Sequence, residues 1–181
     1  MTETKVSGQD LAKLAMIRSN VSSFLRSCGE TFVVGSGERL LDVAPQDHEG
    51  AAPYFPTARI STFDIDPESG CDYIGDICKK NVNIADGYFS YVVCTEVLEH
   101  VRRPFEAVDE IERILKPAGL VFVTTPFNFR IHGPLPDCWR FTEYGLRELF
   151  SNFEILQLSP LEDIDRFLMP IQYTLVARKR A

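Results

Sequence analysis

No run of eighteen apolar residues occurs in this chain of 181 residues, so no segment has the length and polarity of a membrane-spanning helix. The opening residues, Met1-Thr2-Glu3-Thr4-Lys5, lack the basic start and apolar stretch of a signal peptide, and a soluble, cytoplasmic protein is expected. No Cys-x-x-Cys pair exists among Cys28, Cys71, Cys78, Cys94 and Cys138, and their odd number suits free thiols in a reducing compartment. Neither disulfides nor structural zinc are expected. Positive charge is scarce: 19 Lys and Arg against 26 Asp and Glu leave −7, which repels a phosphate backbone and argues against a nucleic-acid partner. The single short basic cluster, Arg178-Lys179-Arg180, reads as a solvated tail. Internal repeats and low-complexity linkers are also missing. What the chain does have is 45% hydrophobic content, enough for one full core, and a single domain over 1–181 is expected.

Periodicity divides that domain into a leading helix over 1–30, a core over 38–158 and a terminal strand and tail over 159–181. Ser7 with Asp10 is a helix-start signature, and Leu11, Leu14, Val21, Phe24 and Leu25 share a face of a helix ending near Cys28-Gly29. Such a helix packs on a sheet or covers a ligand site. Arg39 to Val43, Ile60 to Phe63 and Ser90 to Cys94 read as strands. A helix starting at Pro104 should bury Phe105, Val108, Ile111 and Leu115, with Asp109–Arg113 and Glu112–Lys116 as surface pairs. Lys116-Pro117-Ala118-Gly119 stops it before the strand Leu120 to Thr124. Thr142 to Phe150 is a further helix, and Phe153 to Leu158 with Tyr173 to Ala177 reads as an antiparallel hairpin. Alternating strands and helices predict an α/β fold: a mainly parallel, Rossmann-like sheet with helices on both faces and that hairpin at its end.

Ligands of such sheets bind beyond the carboxyl ends of the strands, where Asp42, Asp64 and Asp76 lie. Asp64 follows Asp42 by 22 residues, close to the interval of about 20 at which an acid after the second strand reaches a ribose hydroxyl. Its plain structural reading is a turn-former before Asp66-Pro67. The unit from Tyr88 to Cys94, then Thr95-Glu96-Val97-Leu98-Glu99-His100-Val101, a helix, and Lys116 to Pro126 resembles the class I S-adenosylmethionine-dependent methyltransferases. Within these it is similar to the type 11 methyltransferase domain group, over roughly residues 38 to 158. The resemblance implies S-adenosylmethionine as cofactor. Asp42 then matches the first-motif acid, Asp64 with Ile65 binds the ribose, Asp76 with Ile77 receives the adenine amino group, and Thr95 and Glu96 face the methionine part.

Two departures stand out. The glycine-rich turn usual after the first strand reads Asp42-Val43-Ala44-Pro45-Gln46-Asp47-His48-Glu49-Gly50, so Ala44, Pro45 and Gln46 occupy cofactor-contact positions with side chains where backbone alone is usual. Gly35-Ser36-Gly37 precedes its strand and reads as a plain loop, which discounts a nicotinamide dinucleotide. Only six residues separate Asp66 from Tyr73, too few for a crossover helix, so the fold should be shortened between strands two and three, with a short edge strand.

If 96–101 were helical, Glu96, Glu99 and His100 would share a face able to hold a divalent cation. Similar Glu-x-x-Glu-His segments bind metal in ubiquinone-pathway O-methyltransferases and small-RNA 2′-O-methyltransferases, with a further histidine for which His132 is the candidate. The plain reading is packing and capping, and no resident metal is expected. The stretch from Pro126 to Trp139 has neither period and is long for a loop, a place where function concentrates. His132 is the candidate general base for a hydroxyl acceptor. Glu96, His100, Trp139 and Arg140 are candidate acceptor contacts, Arg140 for an anionic group. Against this, Trp139 and Phe141 can seal the core, Arg140 can pair with Asp137 and Thr142 can cap the next helix. The resulting expectation is methyl transfer to a small polar or acidic acceptor, probed against two alternatives: a non-catalytic methyltransferase-like binding or regulatory module, and a divalent-metal-dependent O-methyltransferase. The loop's His, Gly, Pro, Asp, Trp-Arg-Phe-Thr pattern is similar to methyltransferases of sugar and secondary-metabolite pathways.

Overall fold

The computed structural model describes residues 6–33, 36–45, 50–163 and 165–181. Gln46, Asp47, His48, Glu49 and the first five residues lie outside these, so what was expected of them has no structural counterpart here. Seven strands form one sheet: β1 (Arg39–Val43), β2 (Arg59–Asp64), β3 (Tyr73–Ile74), β4 (Phe89–Thr95), β5 (Leu115–Pro126), β6 (Phe153–Leu161) and β7 (Gln172–Lys179). Their order is β3-β2-β1-β4-β5-β7-β6. The strands from β3 to β5 run parallel, while β7 is antiparallel to both β5 and β6. The order reverses between β1 and β4, which opens a crevice at their carboxyl ends.

Helices cover both faces. On one lies α1 (Gly8–Phe32), capped by Ser7, whose hydroxyl receives the Asp10 N–H. It is longer than its periodicity predicts, and it buries Ile17, Phe24, Leu25 and Cys28, whereas Leu11 stays exposed. Phe24, Leu25 and Cys28 join Leu40, Phe55, Tyr91, Val93, Phe122 and Val176 in one apolar layer. Gly29 admits the 3-10 turn Ala52–Tyr54, since a Cβ there would lie 2.1 Å from the Tyr54 carbonyl oxygen. On the other face, α2 (Pro104–Ile114) and α3 (Glu143–Leu149) cover the layer containing Leu41, Val92, Cys94, Val121 and Val123. All five cysteines are free thiols.

Several local expectations are corrected. In α2 the buried set is Pro104, Ala107, Val108, Glu110, Ile111 and Ile114; Val108, Ile111 and the following Leu115 are buried as the periodicity predicts, whereas Phe105 is exposed. Arg113 does not pair with Asp109. It binds the buried Glu110 at 2.7 Å, the Asp86 carboxylate and the carbonyls of Asn81 and Ile84. This network anchors 81–86, where no helix forms, and Glu110 also receives the Asn81 backbone N–H at 2.8 Å. Lys116 pairs with Glu38 at 3.1 Å instead of Glu112. Arg178 and Lys179 are not a tail: both lie in β7, with the Lys179 ammonium on the carbonyls of Glu112 and Leu115.

The predicted shortening is present. No helix joins β2 to β3, and β3 is two residues long. Where it falls short, the Asp72 carboxylate takes the Thr62 backbone N–H at 2.8 Å. At the opposite edge β6 carries Pro160 and a register shift between Ile155 and Gln157.

Candidate functional site

A cavity of about 840 Å³ opens at the carboxyl ends of β1 and β4. One wall is α1, through Leu11, Leu14, Ile17, Arg18, Val21 and Leu25; the floor is Asp42, Gly50, Ala51, Thr95, Glu96 and His100; the roof is Phe129 to Gly133 and Leu135. Asp42, Thr95, Glu96, His100 and His132 are thereby brought together as expected. Arg140 and Trp139 are not.

Asp42 is almost fully buried, and its Oδ2 receives the Ala51 N–H at 2.6 Å. Burial pushes its pKa up to about 6, against the opposing pull of that N–H. Gly50 makes the contact possible: at φ +48°, a Cβ would lie 2.3 Å from the same oxygen. Ala44 adopts φ +51°, a left-handed conformation usual for glycine, and donates its N–H to Phe63 O at 2.7 Å. The glycine-like backbone of the first turn is therefore kept at a residue that carries a Cβ, and Ala44 and Pro45 do not line the cavity.

Residues 96–101 form a turn, not a helix, because Glu96 sits at φ +54° and only the His100 N–H to Val97 carbonyl bond closes the segment. Glu96 and Glu99 diverge as a result. Glu96 Oε1 receives Thr124 Oγ1 at 2.8 Å and the Gln172 amide at 2.7 Å. The Glu99 carboxylate is fully buried and neither oxygen has a hydrogen-bond partner among the described residues. Its Oε1 lies 3.7 Å from His100 Nε2 and 3.8 Å from His132 Nε2. Burial raises the pKa of both acids, and the charge of Glu96 adds to the effect on Glu99. One ligand atom from each of Glu99, His100 and His132 lies within 4.8 Å of the others.

Both imidazoles are oriented from behind. His100 Nδ1 is 3.1 Å from the Pro136 carbonyl, and His132 Nδ1 is 3.1 Å from Asp137 Oδ2 and 3.3 Å from the Arg130 carbonyl. Facing only acceptors, each Nδ1 is assigned the proton, which leaves both Nε2 lone pairs turned toward Glu99. Burial, the largest influence, holds the His132 pKa below the usual imidazole range.

Arg140 is committed elsewhere. It forks onto Asp137, with one arm at 2.7 Å, and donates to the carbonyls of Phe129, Arg130 and Trp139. Its charge holds Asp137 down to about 2. Arg140 is thus a pin inside the 127–140 loop and not an acceptor contact. Trp139 Nε1 donates to the Val101 carbonyl at 2.8 Å and its ring stacks on Phe141, so it too is structural. Thr142 caps α3 by accepting the Gly145 N–H. The cationic groups that do line the cavity are Arg18 and Arg130, the latter 3.8 Å from Asp10 of α1. Neither was singled out from the sequence, which assigns the leading helix only to packing on a sheet or covering a ligand site.

Asp64 ends β2 and Asp76 lies just beyond β3, both outside the cavity lining. Asp64 Oδ1 receives the Asp66 N–H at 2.8 Å, and Asp76 Oδ1 the Cys78 N–H at 3.0 Å. Ile65 is exposed, whereas Ile77 is buried in the core.

The family model described as a methyltransferase domain matches residues 19–163. A ubiquinone biosynthesis O-methyltransferase from Pectobacterium atrosepticum is 35% identical over 60 residues, 32% of this chain, and the matched stretch spans only 25% of that relative. Among solved structures, the [4+2]-cyclase SpnF superposes with a TM-score of 0.69 at 18% identity, covering 99% of this chain and 85% of its own. The N-methyltransferase NodS from Bradyrhizobium japonicum WM9 gives 0.64 at 13% identity, covering 91% and 96%. The complex containing the Haloferax volcanii Trm112 methyltransferase activator gives 0.70 at 15% identity, covering 96% and 93%. At these identities the superpositions speak for the fold.

Proposed function

The chain belongs to the methyltransferase-domain family, and from that premise we propose that it transfers a methyl group from S-adenosylmethionine to a small polar or acidic acceptor held between α1 and the 127–140 loop. The observation that carries this reading is the charge of the crevice. Asp42 and Glu96 line it together with Arg18 and Arg130, so acidic and basic side chains face one cavity. Mixed charge of this kind suits a ligand that carries an ammonium, a sulfonium and a carboxylate. Asp64, at the end of β2, is the residue proposed to hold the ribose hydroxyls, and Asp76 the adenine amino group.

When bound, the cofactor supplies a methyl carbon already activated on a positive sulfur. The protein's task is then alignment, water exclusion and, for a hydroxyl acceptor, proton removal. Leu14, Val21 and Phe129 supply the apolar wall against which a bound ligand would exclude water. His132 is the proposed base: with Nδ1 held by Asp137, its Nε2 lone pair would take the proton of a hydroxyl acceptor. Arg18 and Arg130 are placed to receive an anionic group of the acceptor, the role first considered for Arg140. Acceptors of this kind occur in sugar and secondary-metabolite pathways.

The test is binding of S-adenosylhomocysteine by calorimetry. Asp64→Ala should weaken it by roughly 1.5 to 3 kcal/mol, the range for hydrogen bonds to a charged partner. A wild-type protein that binds none at millimolar ligand favours the non-catalytic alternative, and the cyclase among the superposed structures is a reminder that this fold carries other chemistry.

A second reading is favoured by the orphaned Glu99. One carboxylate and two Nε2 lone pairs converge with no proton donor among the described residues. A divalent cation satisfies all three, with Asp137 and the Pro136 carbonyl as the outer partners that ligating histidines normally have. Methyl transfer would then be metal-assisted, and His132 a ligand instead of a base.

A further inference from the structure

Glu96 is the most constrained residue of the crevice, and its constraints lead out to α1. Its positive φ costs on the order of 1 kcal/mol or more, so the surrounding structure must hold it there. Two neutral donors, Thr124 Oγ1 and Gln172 Nε2, fix Oε1. Oε2 has no donor among the described residues, and it is not one of the sealed atoms, so it remains reachable from the cavity that Glu96 lines.

Gln172 can serve Glu96 in one orientation only. Its side chain is fully buried, and a flipped amide would set Oε1 against the Glu96 carboxylate, acceptor against acceptor. The group that selects the productive orientation is Asn20 of α1, whose Nδ2 donates to Gln172 Oε1 at 2.6 Å. The donor of this chain therefore sits on the same helix that walls the cavity with Leu14, Ile17 and Arg18.

We propose that Asn20 and Gln172 are positioning residues that aim Glu96 Oε2 at the α-ammonium of the bound cofactor, so that seating α1 and binding the amino-acid end of the cofactor are one coupled event. This rests on the cofactor reading above. The ligand feature is specified by chemistry. A carboxylate oxygen that faces the cavity without a donor calls for a cation that can donate hydrogen bonds. The sulfonium has no N–H to give, whereas the ammonium has three. Coupling is reciprocal: what docks α1 strengthens the ammonium contact, and the ammonium contact strengthens docking of α1.

Two ligands separate the outcomes. S-adenosylhomocysteine carries the amino-acid end; methylthioadenosine shares the nucleoside and thioether but lacks it. Asn20→Asp keeps the shape while replacing the donor by an acceptor, which turns the Gln172 amide nitrogen away from Glu96. Calorimetry should find S-adenosylhomocysteine weakened about tenfold in Asn20→Asp and in Glu96→Gln, with methylthioadenosine unchanged in both. The double variant should be no worse than the weaker single one. Hydrogen exchange of α1 should slow on adding S-adenosylhomocysteine to the wild type and not to Asn20→Asp. Equal losses for both ligands mean that Asn20 acts only on the fold, and unchanged affinity for both removes the coupling; either overturns the proposal while leaving the cofactor reading intact. A wild type that binds neither ligand overturns both.

Discussion

His132 Nδ1 lies 3.1 Å from Asp137 Oδ2, so one fully buried carboxylate decides which imidazole nitrogen faces the cavity. The same Asp137 oxygen receives the His132 backbone N–H at 2.9 Å, and Arg140 neutralises the charge from the far side. Two residues of the same loop, Asp137 and Arg140, thus hold the histidine ring, and the loop has no regular secondary structure to do so.

Removing Asp137 should therefore cost stability as well as orientation. Asp137→Ala leaves Arg140 without its carboxylate and frees two His132 donors, and a loss of about 3 kcal/mol is expected, as for other buried pairs broken on one side. Urea denaturation measures it. A loss no larger than that of an exposed-surface substitution would show that the loop is held by other contacts.

Asp42 gives a pH dependence of known sign. Its folded pKa of about 6 lies above the unfolded value, so the folded state holds the proton more tightly. The stabilisation is fully present below about pH 4 and is lost as pH rises through about 6, amounting to roughly 3 kcal/mol at most. Asp42→Asn removes this dependence. The variant's stability relative to wild type should rise between those two pH values, a trend read from denaturation curves at each pH. A flat difference would place Asp42 in a wetter site than its burial implies.

The first turn can be tested from both sides. At Gly50 an added Cβ meets Asp42 Oδ2 at 2.3 Å and Pro45 Cβ at 2.8 Å, so Gly50→Ala should destabilise by about 2 kcal/mol or more and raise exposure of Asp42. At Ala44 the left-handed backbone costs about 1–2 kcal/mol, more than the roughly 0.4–1 kcal/mol that glycine adds to unfolded-chain entropy. Ala44→Gly should therefore be neutral to mildly stabilising, unlike most glycine substitutions. Thermal melts of the two variants should shift in opposite directions or differ strongly in size.

Metal titration separates the two readings of Glu99, His100 and His132. If a divalent cation belongs there, manganese or zinc should raise the melting temperature of the wild type and not of Glu99→Gln, and a chelator should reverse the shift. Equal responses of the two proteins exclude a specific site, and His132 then keeps its lone pair for the acceptor proton.

How much of this was legible in the sequence varies with the physics of each element. The main strands, the missing crossover helix and the C-terminal hairpin follow from apolar runs and linker lengths, which act locally. The exposure of Phe105 did not, because it looks like a core residue while the helix buries the smaller Ala107 and an acid, Glu110, that Arg113 one turn on and the distant Asn81 make tolerable. The spacing of Glu96, Glu99 and His100 fits a helix, but a positive φ at a glutamate has no signature in a pattern of residue types. Arg140 illustrates the same limit: a cation in a functional loop reads equally as ligand contact or as pin, and the decision lies with Asp137, three residues away and fully buried. The wall supplied by α1 depends on Asn20 meeting Gln172, more than a hundred residues distant, which no local signal encodes.

The two ends of the sheet carry a further consequence. A strand edge is a template on which another copy of the chain can extend the sheet. Beyond the two residues of β3, the vacant position on β2 is filled by the Asp72 carboxylate, which takes the Thr62 N–H that an incoming strand would need and presents a negative charge to it. On the far side Pro160 offers no N–H, and the register shift next to Gln157 breaks the regular ladder. Shortening the fold at β3 thus left no open edge there: a side chain substitutes for a strand, and growth of the sheet from one molecule into the next is blocked at both margins.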